Sequence, residues 1–389
     1  MTRLPRAAAA LCACLLLGPA TRAAAPPPGP AAGDGERIKA LVRQLGAPRF
    51  RERDLAAREL VRMGRAARPA LQEGLADPDP EVRERCRQLL PRVAQADLDA
   101  RIAAFAAAGA GGHGLPGWER FREMTGGGPA ARALFAEVMR ADGLALEEAE
   151  SDAALLARRY QQRAAELQHL LAAAPGRAPG AAPAPPRTEI AALLLLGSDP
   201  RLGGEAAEHT PAANLFYQPL FRAALTADDP STPVLRKLLL AWLERRRDTG
   251  SVYHSLYLIV QCDMKEALPV AVKLARDASL PGHARAMAVL AVGKFGGERQ
   301  IADLEPLLSA EIELGTFRFN DVQGTTQLRD VALAMCARLA GQNPADYGFD
   351  LLPHQPLNFS YFYNLGFSDP GKREAAHKKW KAWRESQRR

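Results

Sequence analysis

The apolar positions near the start of the chain have helical spacing, and the pattern repeats. Between Glu36 and Val93 apolar residues recur every three or four positions, and the segment matches itself at an offset of 30 residues. The matched pairs are Leu41 with Leu71, Leu45 with Leu75, Pro48 with Pro78, Arg53 with Arg83, Ala56 with Cys86 and Leu60 with Leu90. Each unit predicts a helix, a turn at its proline and a second helix. Neither unit buries its apolar side alone, so stacked units are expected.

A related pattern returns in the second half. Residues 284–288 and 328–332 parallel residues 52–56, and each is preceded by a segment with an apolar stripe. Between the paired helices of the last unit, Gly315 to Gln327 is a longer insertion that contains glycine and threonine, and the sequence leaves open whether it is a binding loop or only extra length. Glycines stand where helix C-terminal caps are expected, namely Gly64, Gly296 and Gly341.

The middle of the chain is less regular. Residues Pro129 to Arg140 and Leu146 to Ala173 have helical patterns. Gly109 to Gly114 satisfies G-x-G-x-x-G, but an alanine-rich helix precedes it instead of a strand, which favours a hinge over a dinucleotide site. Residues 174–187, rich in proline, alanine and glycine, are typical of an exposed linker.

The segment from Leu75 to Cys86 (LADPDPEVRERC) resembles the junction of a HEAT repeat, in which an Asp-Pro turn precedes a helix beginning Val-Arg. This resemblance implies an all-α fold, an α-solenoid of HEAT-like hairpins of the armadillo/HEAT type, here in two blocks. It also implies that four residues link neighbouring repeats: Asp77, Arg83, Arg285 and Arg329. The whole chain resembles secreted bacterial proteins with HEAT repeats.

The N-terminus predicts export. Arg3 and Arg6 precede an apolar run and a small-residue stretch, which is the layout of a signal peptide cleaved after Ala23. Lipidation at Cys14 fits less well, because the apolar run before it is short. The predicted organisation is a signal peptide (1–23), HEAT-like repeats (34–94), a helical segment (95–173), the linker (174–187), a second repeat block (188–350), and an aromatic cap with a basic helix (351–389).

Composition and charge narrow the function. The chain is 47% hydrophobic but only 6% aromatic, which favours helix formers. Of the formal charge of +7, three positive charges belong to the signal peptide, and residues 371–389 hold eight basic and two acidic residues, so the remaining body carries about −2. The excess of positive charge is therefore confined to the two ends of the chain, and the sequence does not indicate a general surface for binding nucleic acid.

No pattern predicts catalysis, a cofactor or a metal. Three cysteines outside the signal peptide (Cys86, Cys262 and Cys336) have helical surroundings, which predicts buried thiols rather than disulfides or a zinc site. Cys262 with His254 or His283 would make a nucleophile and base, but nothing positions them. The histidines, at 113, 169, 209, 254, 283, 354 and 377, do not have metal-ligand spacing.

Two C-terminal features are candidates for interaction. Phe359 to Phe367 is an aromatic stretch, which predicts either a cap on the last repeat or a partner site. In the terminal helix Ala376, Trp380 and Trp383 share one side. The tryptophans either dock on the fold, or the helix binds an anionic membrane surface, protein or polymer. The candidate contacts are Lys372, Lys378, Lys379, Lys381 and Arg384.

The sequence therefore predicts a periplasmic or extracellular scaffold for protein–protein interactions, without chemistry of its own and with no membrane-spanning segment after cleavage. The alternative is a protein that binds polyanions or membrane surfaces through its basic C-terminal helix.

Overall fold

The computed structural model describes residues 34–107, 114–172, 186–202 and 212–387. The expected signal peptide, most of the glycine-rich hinge and nearly all of the linker lie outside the described residues.

The described chain is mostly helical, as predicted. The first helices are α1 (Asp34–Gln44), α2 (Phe50–Met63), α3 (Arg68–Glu73), α4 (Pro80–Ala107), α5 (Trp118–Thr125), α6 (Pro129–Ser151), α7 (Ala153–Ala172) and α8 (Arg187–Gly197). There follow α9 (Ala212–Leu215), α10 (Pro219–Thr226), α11 (Thr232–Leu243), α12 (Thr249–Gln261), α13 (Leu268–Arg276), α14 (Gly282–Phe295), α15 (Ile301–Leu304), α16 (Leu328–Leu339) and α17 (Pro370–Ser386). Strands β1 (Glu313–Phe319) and β2 (Val322–Gln327) lie between α15 and α16.

Two compact units divide between Ala96 and Asp97, within α4. In the first unit, apolar residues of α1 to α4 form one core that includes Val42, Leu60 and Val93. In the second unit, α6 and α7 pack against α8. The division therefore does not fall at residues 174–187, where the sequence places a linker, because the helices on either side of that segment share one core.

The offset of 30 residues is reproduced in atomic contacts. Arg53 Nη1 donates to the carbonyl oxygens of Ala47 and Pro48, at 2.8 and 2.9 Å. Arg83 Nη1 makes the same pair of bonds one unit later, to Asp77 at 2.7 Å and Pro78 at 2.9 Å. In both units an arginine in the second helix thus satisfies carbonyls at the end of the preceding turn, which would otherwise lack partners.

The helices of the middle segment begin and end differently from the prediction. Helix α6 continues to Ser151, and the break comes at Asp152, whose side chain accepts the amide of Ala154 at 2.7 Å. Helix α6 continues through Gly143. This glycine lies against Leu98, and a Cβ atom at position 143 would approach Leu98 Cδ2 to 2.7 Å, so the missing side chain allows the close contact. This interhelical contact is not visible in the local sequence pattern.

The insertion after α15 is an antiparallel β-hairpin rather than an irregular loop. Strands β1 and β2 pair from Glu313 with Gln327 to Phe319 with Val322. Asn320 in the turn has a φ of 52°, a conformation that asparagine tolerates better than most residues. The described fold is therefore helical with one small sheet.

The C-terminal segment closes over this hairpin. The backbones of Thr325 and Phe367 exchange two hydrogen bonds of 3.1 Å. Phe362, Leu365 and Phe367 are buried within the core of the second unit. Most of the aromatic stretch therefore packs inside, as expected of a cap, and Tyr361 remains exposed over 45% of its surface.

Candidate functional site

Seven tyrosine and histidine rings, together with Phe362, lie side by side on the second unit; we call them the aromatic cluster. It contains five of the seven tyrosines of the chain. Its members are Tyr217, Tyr253, His254, Tyr257, His283, Tyr361, Phe362 and Tyr363. Concentration of tyrosine at one surface is typical of binding sites, because the ring supplies apolar area and the hydroxyl a polar end.

Helix α12 holds one side of the cluster. Tyr253 and His254 are adjacent in this helix, and Tyr257 follows one turn later. The ring centroid of Tyr217 lies 4.6 Å from that of His254 and 5.8 Å from that of Tyr257. More than half of the surface of Tyr217 is exposed.

The C-terminal segment supplies the other side. Tyr361 and Tyr363 lie 5.3 Å apart at an interplanar angle of 53°, the same angle as between Tyr217 and Tyr257. Phe362 joins the two sides, since its ring is 6.4 Å from that of Tyr253.

A groove of about 550 Å³ adjoins the cluster and shares Tyr361 with it. It is lined by the end of α12, by Lys294 of α14 and by residues 355–361 with Asn364. Gln261 Nε2 donates to Ser360 Oγ at 2.7 Å, which ties the two walls together. Lys294 is already engaged, because it bonds the carbonyl of Val260 at 2.6 Å and pairs with Asp263 at 3.3 Å.

Asn364 is the polar group of the groove that lacks a partner. The residue is 2% exposed, and within the described chain its Oδ1 atom has no hydrogen-bond donor. A buried amide oxygen without a donor is costly. The Oδ1 atom is itself buried, so this acceptor without a partner lies inside the fold next to the groove.

Tyr217, Tyr253 and His254 of the cluster are neutral around pH 7. Burial raises the pKa of Tyr253, and neighbouring tyrosines, Tyr217 first among them, raise it further. Burial also raises the pKa of Tyr217, so both hydroxyls stay protonated. Burial lowers the pKa of His254, although the charge of Asp248 opposes this shift. These three side chains therefore present two hydroxyl donors and an imidazole ring without a charge.

Acid is expected to destabilise the fold through His254. Because the folded pKa of His254 lies below the unfolded value of about 6.5, the unfolded chain takes up a proton first, and the free energy of unfolding declines as pH falls below that value. Urea unfolding at several pH values between about 7.5 and 5.5 should show a weaker pH dependence for His254→Phe than for the wild type. His354→Phe, which changes an exposed ring, is the control. An unchanged pH dependence in His254→Phe would refute the assignment.

The basic residues of α17 are partly used within the fold. Lys372 pairs with Asp350, Lys379 Nζ donates to the carbonyl of Asp346 at 2.7 Å, and Arg384 pairs with Glu305 at 2.7 Å. Lys378 and Lys381 are exposed, and neither makes a hydrogen bond or ion pair to another part of the described chain. Trp380 is buried in the core of the second unit, and Trp383 is half-buried against it. The two tryptophans therefore dock on the fold, which is the first of the two alternatives given for this helix.

The predicted repeat-linking residues occupy different environments. Asp77 Oδ1 accepts the amide of Asp79 at 2.9 Å within its own turn. Arg285 is buried and donates to the carbonyl of Ala275 at 3.1 Å. Arg329 instead pairs with Glu311 at 2.8 Å.

One further arginine behaves like Arg285 and escaped the sequence analysis. Arg236 Nε donates to the carbonyl of Leu225 at 2.8 Å, and its guanidinium also reaches Glu266 at 3.3 Å. The preceding turns correspond as well, because Asp229 and Asp277 each accept the amide of a serine two residues later. The Asp-x-Ser spacing was the available signal.

The cysteines are buried, as predicted: Cys86, Cys262 and Cys336 are free thiols whose pKa values are raised by burial. In the described ranges no group of three histidine, cysteine or acidic side chains is placed to hold a metal ion. Among the helices with described residues, none has the length and apolar character needed to cross a bilayer.

Residues 359–367 stand out in the sequence as an aromatic stretch, whereas the α12 side of the cluster was not predicted. Tyr253 and Tyr257 are four residues apart, which places them on one helical face, and this spacing was a usable signal. That Tyr217 joins them depends on tertiary packing.

Comparison with known proteins adds no family: no family model matches the chain, and no curated protein is significantly similar to it.

Proposed function

We propose that this chain is an exported scaffold for protein–protein interactions, built as an α-solenoid of HEAT-like hairpins in two blocks and without a catalytic role. Two repeated arginine-to-carbonyl contacts support recurring hairpins, one made by Arg53 and Arg83 through Nη1 and the other by Arg236 and Arg285 through Nε. Recurring hairpins are how solenoid proteins build extended binding surfaces.

The aromatic cluster is the observation that carries this proposal. Tyr217 and Tyr361 are exposed over 51% and 45% of their surfaces, although large apolar rings are otherwise mostly buried here. Tyrosine is enriched at protein interfaces, where a rigid ring contributes area at little entropic cost. The neighbouring groove adds amide and hydroxyl groups that would orient a partner.

Removing the two exposed rings is expected to abolish partner capture. A pull-down from the exported fraction, with a chain beginning at Ala24 as bait, should retain specific proteins. Tyr217→Ala/Tyr361→Ala should weaken their binding by about thirtyfold or more, since two interface tyrosines together contribute about 2–4 kcal/mol. Both side chains are largely exposed, so the circular dichroism spectrum should not change.

The matched control is Phe50→Ala, which removes an aromatic ring that is 65% exposed in the first unit. Capture that survives the tyrosine changes but is lost in the control would contradict the proposal.

A second candidate function rests on Lys378 and Lys381, the exposed lysines of α17 that have no partner in the described structure. They would attract an anionic membrane surface or polymer. In the same experiment Lys378→Glu/Lys381→Glu separates the two functions: salt-sensitive binding lost in this variant alone would assign function to the basic helix.

A further inference from the structure

The tyrosine hydroxyls of the aromatic cluster are available as hydrogen-bond donors. None of the five tyrosine hydroxyls, at positions 217, 253, 257, 361 and 363, makes a hydrogen bond to the described chain. Phenolic O–H groups are good donors, and here they border apolar ring faces. A ligand for this surface must therefore combine apolar bulk with exposed acceptor oxygens.

The charge of the surface limits the ligand further. The cluster contains no lysine, arginine or acidic side chain, and in the adjoining groove Lys294 is paired with Asp263 at 3.3 Å. A phosphate, a carboxylate or a polybasic segment would find no countercharge within the cluster, and would lose its hydration there without compensation. Beside the groove, Arg338 lies over the ring of Phe359 at 4.9 Å. The preferred ligand is uncharged.

The inclination and spacing of the tyrosine rings fit the size of a proline ring. Tyr217 with Tyr257 and Tyr361 with Tyr363 form two pairs of rings, each inclined by 53°, with centroids 5.8 and 5.3 Å apart. Inclined rings make a ridged surface, into which a compact ring fits better than a broad flat sugar face would. Aromatic-lined grooves of this kind bind polyproline II segments, whose carbonyls have no internal partners and whose backbone is already ordered.

We propose that the aromatic cluster and its groove bind an uncharged proline-rich segment of a partner protein in the polyproline II conformation. The tyrosine rings pack on the prolines, and their hydroxyls donate to the segment's carbonyl oxygens. This assignment rests on the proposed function, because it specifies the partner chemistry of the same surface.

The test is a titration of the chain beginning at Ala24 with a nine-residue peptide of three Pro-Pro-Ala repeats, followed by calorimetry. Saturable binding is expected, weakened about tenfold by Tyr217→Ala/Tyr361→Ala, because ring contacts of about 1 kcal/mol or more are lost. Tyr217→Phe/Tyr361→Phe, which removes only the hydroxyls, should weaken binding by a smaller factor. Phe50→Ala should bind as the wild type does, and a Gly-Ser peptide of equal length should not bind.

Several results would overturn the assignment: no saturable binding, equal binding of the Gly-Ser peptide, or no effect of the tyrosine variants. Binding of a neutral oligosaccharide in place of the peptide would also overturn it. The proposed function fails separately. If Tyr217→Ala/Tyr361→Ala abolishes capture of proteins in the pull-down while the proline-rich peptide neither binds nor competes, the scaffold stands and only the polyproline assignment is wrong.

Discussion

Asp330→Ala is expected to destabilise the second unit by about 3–5 kcal/mol, the cost of removing one partner from a buried ion pair. Asp330 is fully buried and accepts Arg373 Nε at 3.0 and 3.2 Å, and it also accepts the amide of Gln327 at 2.8 Å. Without the carboxylate, Arg373 keeps its charge in a site that is 5% exposed. Urea unfolding followed by circular dichroism measures the loss.

The position of Asp330 gives this variant a local signature as well. Arg373 belongs to α17 and also donates to the carbonyl of Thr325 at 2.9 Å, so the pair fastens the terminal helix to the hairpin. Trypsin should therefore cleave α17 faster in Asp330→Ala than in the wild type. The control is Glu311→Ala, which removes an acid from the exposed pair with Arg329 and should cost less than about 1 kcal/mol. Equal losses of unfolding free energy in Asp330→Ala and Glu311→Ala would show that the buried ion pair stabilises the fold no more than the exposed one.

Trp242→Ala should cost about 3–5 kcal/mol, the usual loss when a large buried ring is truncated. Trp242 is 1% exposed, and its Nε1 atom donates to Tyr160 Oη at 3.2 Å. Arg246 lies over the ring at 4.4 Å, and Gly197 leaves room for the indole because it has no Cβ. Truncation opens a cavity where α7, α8 and α11 meet, and it leaves Tyr160 with one hydrogen bond fewer. Thermal unfolding should show a lower Tm.

A graded series tests the cavity argument. Trp242→Phe keeps most of the apolar volume but loses the N–H donor, so its loss should lie between those of the wild type and the alanine variant. Trp383→Ala is the control, because that indole is only half-buried. A loss in Trp383→Ala as large as that in Trp242→Ala would contradict the assignment of Trp242 to the core.

The features predicted well are those encoded locally. The helical spacing of apolar residues and the offset of 30 residues lead directly to the first helices and to the equivalent bonds of Arg53 and Arg83. The pattern succeeds because helix hydrogen bonds and turn contacts join residues close in sequence.

The hairpin shows where local patterns fail. No strand was predicted for Gly315 to Gln327, although Phe317 and Phe319 alternate with polar residues, and β2 pairs with both β1 and Phe367. Gly324 permits this approach, because a Cβ there would lie 2.5 Å from the carbonyl oxygen of Phe367. Phe367 is distant in sequence from β2, and the local periodicity of β2 does not indicate such a partner.

The candidate site divides in the same way. The sequence alone determined the helical class, the offset of 30 residues among the first helices, the burial of Cys86, Cys262 and Cys336, and the aromatic and basic character of the C-terminus, because composition and spacing express these directly. Only the tertiary structure decided that Tyr217, Tyr253 and Tyr361 meet on one surface, and that Lys372, Lys379 and Arg384 are used inside the fold while Lys378 and Lys381 are not. The physical reason is that a binding surface depends on which distant segments a packed core brings together, and a one-dimensional pattern records only the side of its own helix.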